Sequence, residues 1–284
     1  MDWLEALQLL RSSGRPGVLA TVTGVRGHAP REAGAKMLVG AESAWDSIGG
    51  GNLEATVADR ARAMLDAGST LPESLTFPLN EHAVTRHGKQ CCGGVVDVLL
   101  EPFLPRPIVA VFGVGHVGHE LARILSRLPI RLYLVDSRAD QVSTEQLPDV
   151  VGGSADVHPV HSPVPDSVLG GLPAGSHVLI LTHDHAEDFL LCDAALRRGD
   201  LGSIGLIGSS AKWSRFRVRL LAEGHAEAAV ERISCPIGLP DITGKAPAVI
   251  AISVAARLLQ LLPSNPGERN GEREVEPVAT GAVP

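Results

Sequence analysis

The chain has 284 residues, 44% of them hydrophobic and 20% charged, with a formal net charge of −7. That is enough apolar material for two ordinary domains with separate cores. The acidic balance and the scarcity of rings (five Phe, three Trp, one Tyr) exclude a general nucleic-acid binder, which needs a basic surface and stacking platforms.

Leu4, Leu7, Leu9 and Leu10 predict an opening helix that Gly14 and Pro16 stop. Residues 17–25, rich in Val and Thr, read as a strand, residues 35–39 as another, and Ser47-Ile48 as a short one ending at Gly49-Gly50-Gly51. Asn52 is the expected N-cap of a helix carrying Leu53, Val57, Ala61, Met64 and Leu65 at helical spacing. Strands at 75–79 and 95–100 complete a small mixed α/β domain over residues 1–104. Pro102, Pro105 and Pro107 then mark a boundary. Residues 108–112 form a continuous apolar run of the kind buried on both faces of a parallel sheet, and Gly113-Val114-Gly115-His116-Val117-Gly118 leads from it into a helix through Leu121, Ile124 and Leu128. Strands at 131–135, 178–181 and 204–207, with a helix over about 186–198, continue the alternation. The fold class is therefore α/β, a small mixed α/β domain followed by a Rossmann-like doubly wound parallel sheet over 105–262. Residues 247–262 read as a buried helix on that sheet, and 263–284, rich in Pro, Gly and Glu, as a disordered tail.

Two glycine turns are candidate anion cradles, and a third turn leads to basic residues. In Gly113, Gly115 and Gly118 the first glycine makes a tight turn, the second lets the backbone approach a phosphate and the third lets the helix pack closely, while Asp136, at the end of the next strand, is placed for a ribose or other polar group. Gly49, Gly50 and Gly51 precede a second helix. Ser209-Ser210 follows a strand end and leads to Lys212 and Arg215, which could meet phosphate or an acidic partner, the alternative being a solvated basic face. His183 and His185, in Thr182-His183-Asp184-His185, fall at the carboxyl edge of the sheet, where Thr182 or Asp184 caps a helix and the histidines can touch a ligand. A dinuclear metallohydrolase motif would need Asp followed by His, and Asp188 is followed by Phe189. The four cysteines, Cys91, Cys92, Cys192 and Cys235, are too few and scattered for a disulfide framework. Cys91 and Cys92, beside Gly93 and Gly94 in a polar stretch, offer an accessible thiolate, a soft metal ligand but not a complete tetrahedral site. No apolar run reaches the ~18 residues of a membrane span and the N-terminus lacks signal-peptide character, so the expectation is a cytoplasmic protein with no membrane or nucleic-acid partner.

The ordered set of motifs, Gly27-His28-Ala29-Pro30-Arg31, Ser47-Ile48-Gly49-Gly50-Gly51, Gln90-Cys91-Cys92-Gly93-Gly94, Gly113 to Gly118, Val135-Asp136-Ser137-Arg138, Thr182-His183-Asp184-His185, residues 204–209 and Cys235-Pro236-Ile237-Gly238-Leu239, resembles the xanthine dehydrogenase accessory protein family, XdhC/CoxI. It departs from the family pattern at His28, where Ser is usual, and at Ser210, where Arg is usual. The resemblance implies a molybdenum cofactor chaperone that binds a molybdopterin-type cofactor as cargo. Such a protein holds the cofactor while a cysteine desulfurase partner supplies sulfur, then delivers it to apo xanthine dehydrogenase, commonly as a homodimer. It implies Cys92, less surely Cys91, as a ligand to the cargo molybdenum, and no catalytic residue of its own. The alternative from the residues alone is an NAD-dependent oxidoreductase using Gly113 to Gly118 and Asp136, with His116, His183 and His185 as the available proton carriers.

Overall fold

The computed structural model describes residues 1–79, 93–143, 145–147, 149–150 and 152–262. Cys91 and Cys92, and the segment expected to form a disordered tail, lie outside the described residues. The described residues form two compact units, 1–105 and 106–262.

The first unit is built on an antiparallel five-stranded sheet. Helix α1 (Trp3–Ser12) is closed at its start by a capping box, in which the Asp2 side chain accepts from the Glu5 N–H and the Glu5 side chain from the Asp2 N–H. Then come β1 (Gly17–Arg26), β2 (Lys36–Val39), β3 (Ala44–Asp46), α2 (Gly51–Asp66), β4 (Glu73–Pro78) and β5 (Val95–Phe103), with strand order β3-β2-β1-β5-β4. Val18, Ala20 and Val22 of β1 and Val96, Val98 and Leu100 of β5 point to one face, because alternate strand residues share a side. There they meet Val57, Ala61 and Met64 of α2. Each of the Val, Leu and Met side chains taken fully out of water contributes roughly 1.5–3 kcal/mol. On another side, Ala6 and Leu10 of α1 cover Leu38 of β2.

Two expectations fail locally. The short strand is Ala44–Asp46 rather than Ser47-Ile48; Ile48 is buried, but as a loop residue that plugs the core. The N-cap of α2 is Gly50, not Asn52, which lies inside the helix and is itself buried. The cap position has φ +70°, a conformation that glycine adopts without penalty and asparagine less readily.

The second unit is a six-stranded parallel sheet of order β11-β10-β9-β6-β7-β8. Its elements in chain order are β6 (Ile108–Phe112), α3 (His116–Leu125), β7 (Arg131–Asp136), β8 (Asp156–His161), α4 (Pro165–Gly171), β9 (His177–Ile180), α5 (His185–Arg197), β10 (Ser203–Leu206), α6 (Ser210–Ala222), α7 (Glu227–Val230), β11 (Ile233–Ser234) and α8 (Pro247–Leu261). The chain starts in the middle, at β6, runs outward through β7 to β8, then crosses to β9 and runs the other way. This is the doubly wound Rossmann arrangement, and its direction reverses between β6 and β9. All five residues of β6 are buried, since helices cover both faces. On one face α3 and α8 pack Leu121, Leu125, Val254 and Leu258 against Val109, Val111, Leu132 and Leu134. On the other, Phe189, Cys192, Leu196 and Leu220 pack against Ala110, Phe112, Val178, Ile180 and Leu206.

Helix α3 ends at Leu125, short of the expected Leu128. Helix α8 is half rather than wholly buried. Ala251, Val254, Ala255 and Leu258 face the core, while Ile252 and Leu259 are 54% and 52% exposed, because only one side of a helix can lie on a sheet. No helix of the described residues is long and apolar enough to cross a membrane.

Candidate functional site

Where the strand order reverses, the loop after β6 and the segment after β9 stand side by side at the carboxyl edge of the sheet, the place where ligands of such folds bind. The three glycines of the loop differ in what they do. A Cβ on Gly113 would lie 2.4 Å from the Leu181 carbonyl oxygen and one on Gly118 2.3 Å from the Gly113 carbonyl oxygen, so both are demanded by packing. Gly113 also has φ +100°. Gly115 is different. Its backbone is extended, it is the N-cap of α3 without a side-chain cap, and the nearest atom to its imagined Cβ is Arg138 Nη2 at 3.9 Å. The first N–H groups of α3 therefore have no side-chain partner at the cap, beside open space, and the positive end of the helix dipole favours an anion there.

That space is a cleft of ≈ 770 Å³. His116, His119 and Arg123 of α3, Arg138 after β7, Gln141, Thr182 and His183 after β9, and Ile207 after β10 line it. Burial, then the neighbouring Arg123 cation, holds the His119 imidazole below its ordinary pKa, so it is neutral at pH 7. Arg123 is partly neutralised by Glu120 at 2.8 Å, and Arg138, which stands beside the loop, by Asp136 at 2.9 Å.

Asp136 is engaged within the protein. Its carboxylate is 2% exposed and accepts from the Val114 N–H at 2.7 Å, the Arg138 N–H at 2.9 Å, and Arg138 Nε and Nη2 at 2.9 and 3.0 Å. Burial alone would raise its pKa, but the bonds from the Arg138 side chain and backbone and from Val114 outweigh it and the net shift is downward. The residue expected to read a ribose instead braces the glycine loop and aims Arg138.

The Thr182–Asp188 segment also turns inward. Asp184 caps α5 by accepting from Ala186 and Glu187 N–H groups at 2.6 and 3.4 Å. Asp188 Oδ1 accepts from the Thr182 N–H at 3.1 Å and hydroxyl at 2.7 Å, while Oδ2 is bonded by Lys212 Nζ, which also donates to the Ile207 carbonyl at 2.9 Å. This buried pair ties the ends of β9 and β10 together. Lys212 is therefore spent inside the protein rather than offered to a phosphate, because a buried ammonium must be paired. Arg215 is exposed, donates to the Ala211 carbonyl at 3.3 Å, and lines no part of the cleft. His116 and His183 line the cleft; His185, the first residue of α5, does not. With Asp188 paired, the metallohydrolase reading has no support, and among the described residues no group of three or more His, Cys, Asp or Glu could hold a metal ion.

In the first unit, Gly49 and Gly50 precede α2 and Gly51 opens it, but the turn already holds a side chain of its own. Glu54 Oε2 accepts from the Gly50 N–H at 3.0 Å and the Ser47 hydroxyl at 2.6 Å, an internal carboxylate where a phosphate was expected. Two other motifs meet nearby. A Cβ on Gly94 would stand 2.2 Å from the His28 carbonyl oxygen, and one on Gly49 2.9 Å from Pro30 Cβ, so the Gly27–Arg31 loop is wedged between the two glycine turns. Gly93, with φ +72°, bonds back to Leu79 at 2.8 Å.

Sequence reasoning missed Arg138, Arg123 and His119 as cleft residues. The signal for Arg138 was present in Asp136-Ser137-Arg138: an acidic residue two positions before an arginine at a strand end can turn back on it. The other two sit one and two turns into α3 on the face that carries His116.

This is a Rossmann unit whose glycine loop, three histidines and Arg138 frame a cleft at the carboxyl edge of its sheet, preceded by a separate antiparallel α/β unit. The chain belongs to the XdhC family: residues 109–258 match the XdhC Rossmann domain and residues 10–77 the XdhC and CoxI family. It is 27% identical over 259 residues to the uncharacterized protein YqeB of Escherichia coli K12, an overlap that takes in 91% of this chain and 46% of that protein. The chain thus spans about half the length of this curated relative. It is also similar, at 22% identity and a TM-score of 0.46, to a crystal structure described as a xanthine dehydrogenase from Bacillus halodurans, covering 92% of this chain and 96% of that one.

Proposed function

We propose that this chain is a maturation protein for xanthine dehydrogenase that carries a molybdopterin-type cofactor as cargo. It holds the cofactor during sulfuration by a cysteine desulfurase and hands it to the apoenzyme. The observation that carries the reading is the α3 N-terminus, capped by a glycine with open space before it and with Arg138 at its side, which suits a terminal phosphate. Membership of the XdhC family supports the same role. A thiolate from Cys92 is a soft ligand suited to molybdenum, and a single protein ligand suits reversible holding better than a closed cage.

The engagement of Asp136 weighs against the nicotinamide alternative, since both carboxylate oxygens are already bonded to Val114 and Arg138. A ribose hydroxyl would have to compete with a charge-assisted pair. The protein is tested by mixing it anaerobically with molybdenum cofactor released from a molybdoenzyme and quantifying molybdenum and pterin retained after gel filtration, for wild type and Cys92→Ala. Near-stoichiometric retention that falls in the variant is expected. No retention by folded wild type, together with micromolar NAD or NADH binding and turnover, would replace this reading by an oxidoreductase.

A further inference from the structure

A second cavity, of ≈ 870 Å³, opens on the same carboxyl edge beside the ends of β10 and β11. Its walls are apolar, formed chiefly by Ile207, Ile237, Leu239, Ile242 and Ile250, with Lys245 and Ser209 among the few polar groups. Ile207 lines both this cavity and the glycine cleft, so the two share a wall. The cavity is built rather than incidental. The buried Ser253 hydroxyl accepts from the Leu239 N–H at 2.8 Å and donates to the Leu239 carbonyl at 3.2 Å, pinning the loop after β11. Gly238, at φ +103°, comes so close to Ser253 that a Cβ there would be 2.5 Å from its Oγ. On the opposite wall a Cβ on Gly208 would lie 2.8 Å from Lys212 Cδ, so the buried Lys212–Asp188 pair and this wall are packed as one piece.

We propose that this cavity is the second half of the ligand site and takes the flat heterocyclic body of the molecule whose phosphate rests on the Gly113–Gly118 loop. The proposal rests on the cofactor reading above and adds which surface holds which end. The halves differ in polarity: Arg138, Arg123 with its partner Glu120, and an uncapped helix start line the first, while isoleucine and leucine side chains dominate the second, where Lys245 is the one charged residue. A ligand with an anionic end and a planar ring matches both. Each cavity has the volume of an ordinary small-molecule site, and an apolar pocket with a few polar groups at its rim is the usual form of a ring site. Ile242, 38% exposed, is apolar surface that such a ring would cover.

The test uses the full chain with two probes, molybdenum cofactor released from a molybdoenzyme and inorganic pyrophosphate. Ile242→Asp alters the apolar cavity alone, and Val218→Asp, at a 67% exposed position on α6 that lines neither cavity, is the control. Thr243→Trp, which fills the cavity from its own loop, is a second variant, and thermal melts check that each protein is folded. Placing a carboxylate against the ring is expected to weaken cofactor retention by about tenfold or more while pyrophosphate binding and the control stay at wild-type values. Wild-type retention in both cavity variants would overturn the ring site and leave the cofactor reading standing. Equal loss of cofactor and pyrophosphate would overturn the division into two halves. Failure of folded wild type to retain cofactor at all would overturn both readings.

Discussion

Replacing Gly115 by aspartate tests the glycine cleft without disturbing the fold. The position already has N-cap geometry, with φ −79° and ψ −160°, and its imagined Cβ has no neighbour closer than Arg138 Nη2 at 3.9 Å. Aspartate there can accept from the free N–H groups of α3 and lie beside a cation. Capping by Asp instead of Gly is worth only a few tenths of a kcal/mol, and the negative charge at the helix start adds about 0.3–1 kcal/mol. The variant is therefore expected to melt at or slightly above the wild-type temperature. The same carboxylate occupies the ground a phosphate would use. Two like charges about 4 Å apart at an effective dielectric constant near 20 repel by about 4 kcal/mol, which is close to a thousandfold in affinity before screening by salt. Thermal melts and cofactor retention, measured side by side, should show an unchanged or raised midpoint with binding almost abolished. A folded Gly115→Asp protein that binds its ligand as wild type does would refute the assignment of the anion to this loop.

Other outcomes follow from the packing. Lys212→Met leaves the 1% exposed Asp188 side chain without its cation and is expected to cost about 3–5 kcal/mol in urea unfolding of the second unit, with partial recovery when Asp188→Asn is added; equal stability of the single variant would show that the pair is not formed. Gly118→Ala drives a methyl to 2.3 Å from the Gly113 carbonyl and should either destabilise the unit by several kcal/mol or prevent its folding, while a soluble variant with a wild-type melt would contradict the loop geometry. The folded-state pKa of Asp136 is depressed, so its contribution is present above the unfolded value of about 3.9 and is lost as pH falls through the lower, folded value. Asp136→Asn should be less stable at pH 7 and lose less stability than wild type on acidification below about pH 4; parallel curves would be the contrary result. Burial pushes the Cys235 thiol up to about 11 and raises Cys192 further, so both should resist iodoacetamide at pH 8 in the native protein, as read by mass spectrometry of digests.

What could be read from the sequence was whatever depends on a pattern within one element. The apolar run at 108–112, bounded by prolines and glycines, has the form of a strand buried on both faces, and the glycines after it lead into a helical pattern, so the Rossmann unit and its loop were legible. Strand β8 was not. Its sequence, Asp-Val-His-Pro-Val-His, has no clean alternation and carries a proline that only an edge strand tolerates, and β8 is the edge of its sheet. The two-residue β11 is set by pairing with β10, which no local pattern encodes. Side-chain destinations were the hardest part. Asp136, Glu54 and Lys212 carry the right chemistry to meet a ligand, and each is instead satisfied by a partner within its own unit. Two of those partners, Arg138 for Asp136 and Gly50 for Glu54, are within four residues; the third, Asp188, lies 24 residues from Lys212 on another helix.

The grip of Asp136 on Val114 and Arg138 has a kinetic side. A loop whose N–H is already held by a protein carboxylate is not ordered by a ligand, so arrival and departure need no folding step and little conformational entropy changes hands. A storage protein would profit from a loop that clamps down after binding. For the proposed carrier role, a rigid seat leaves dissociation to be set by the contacts alone.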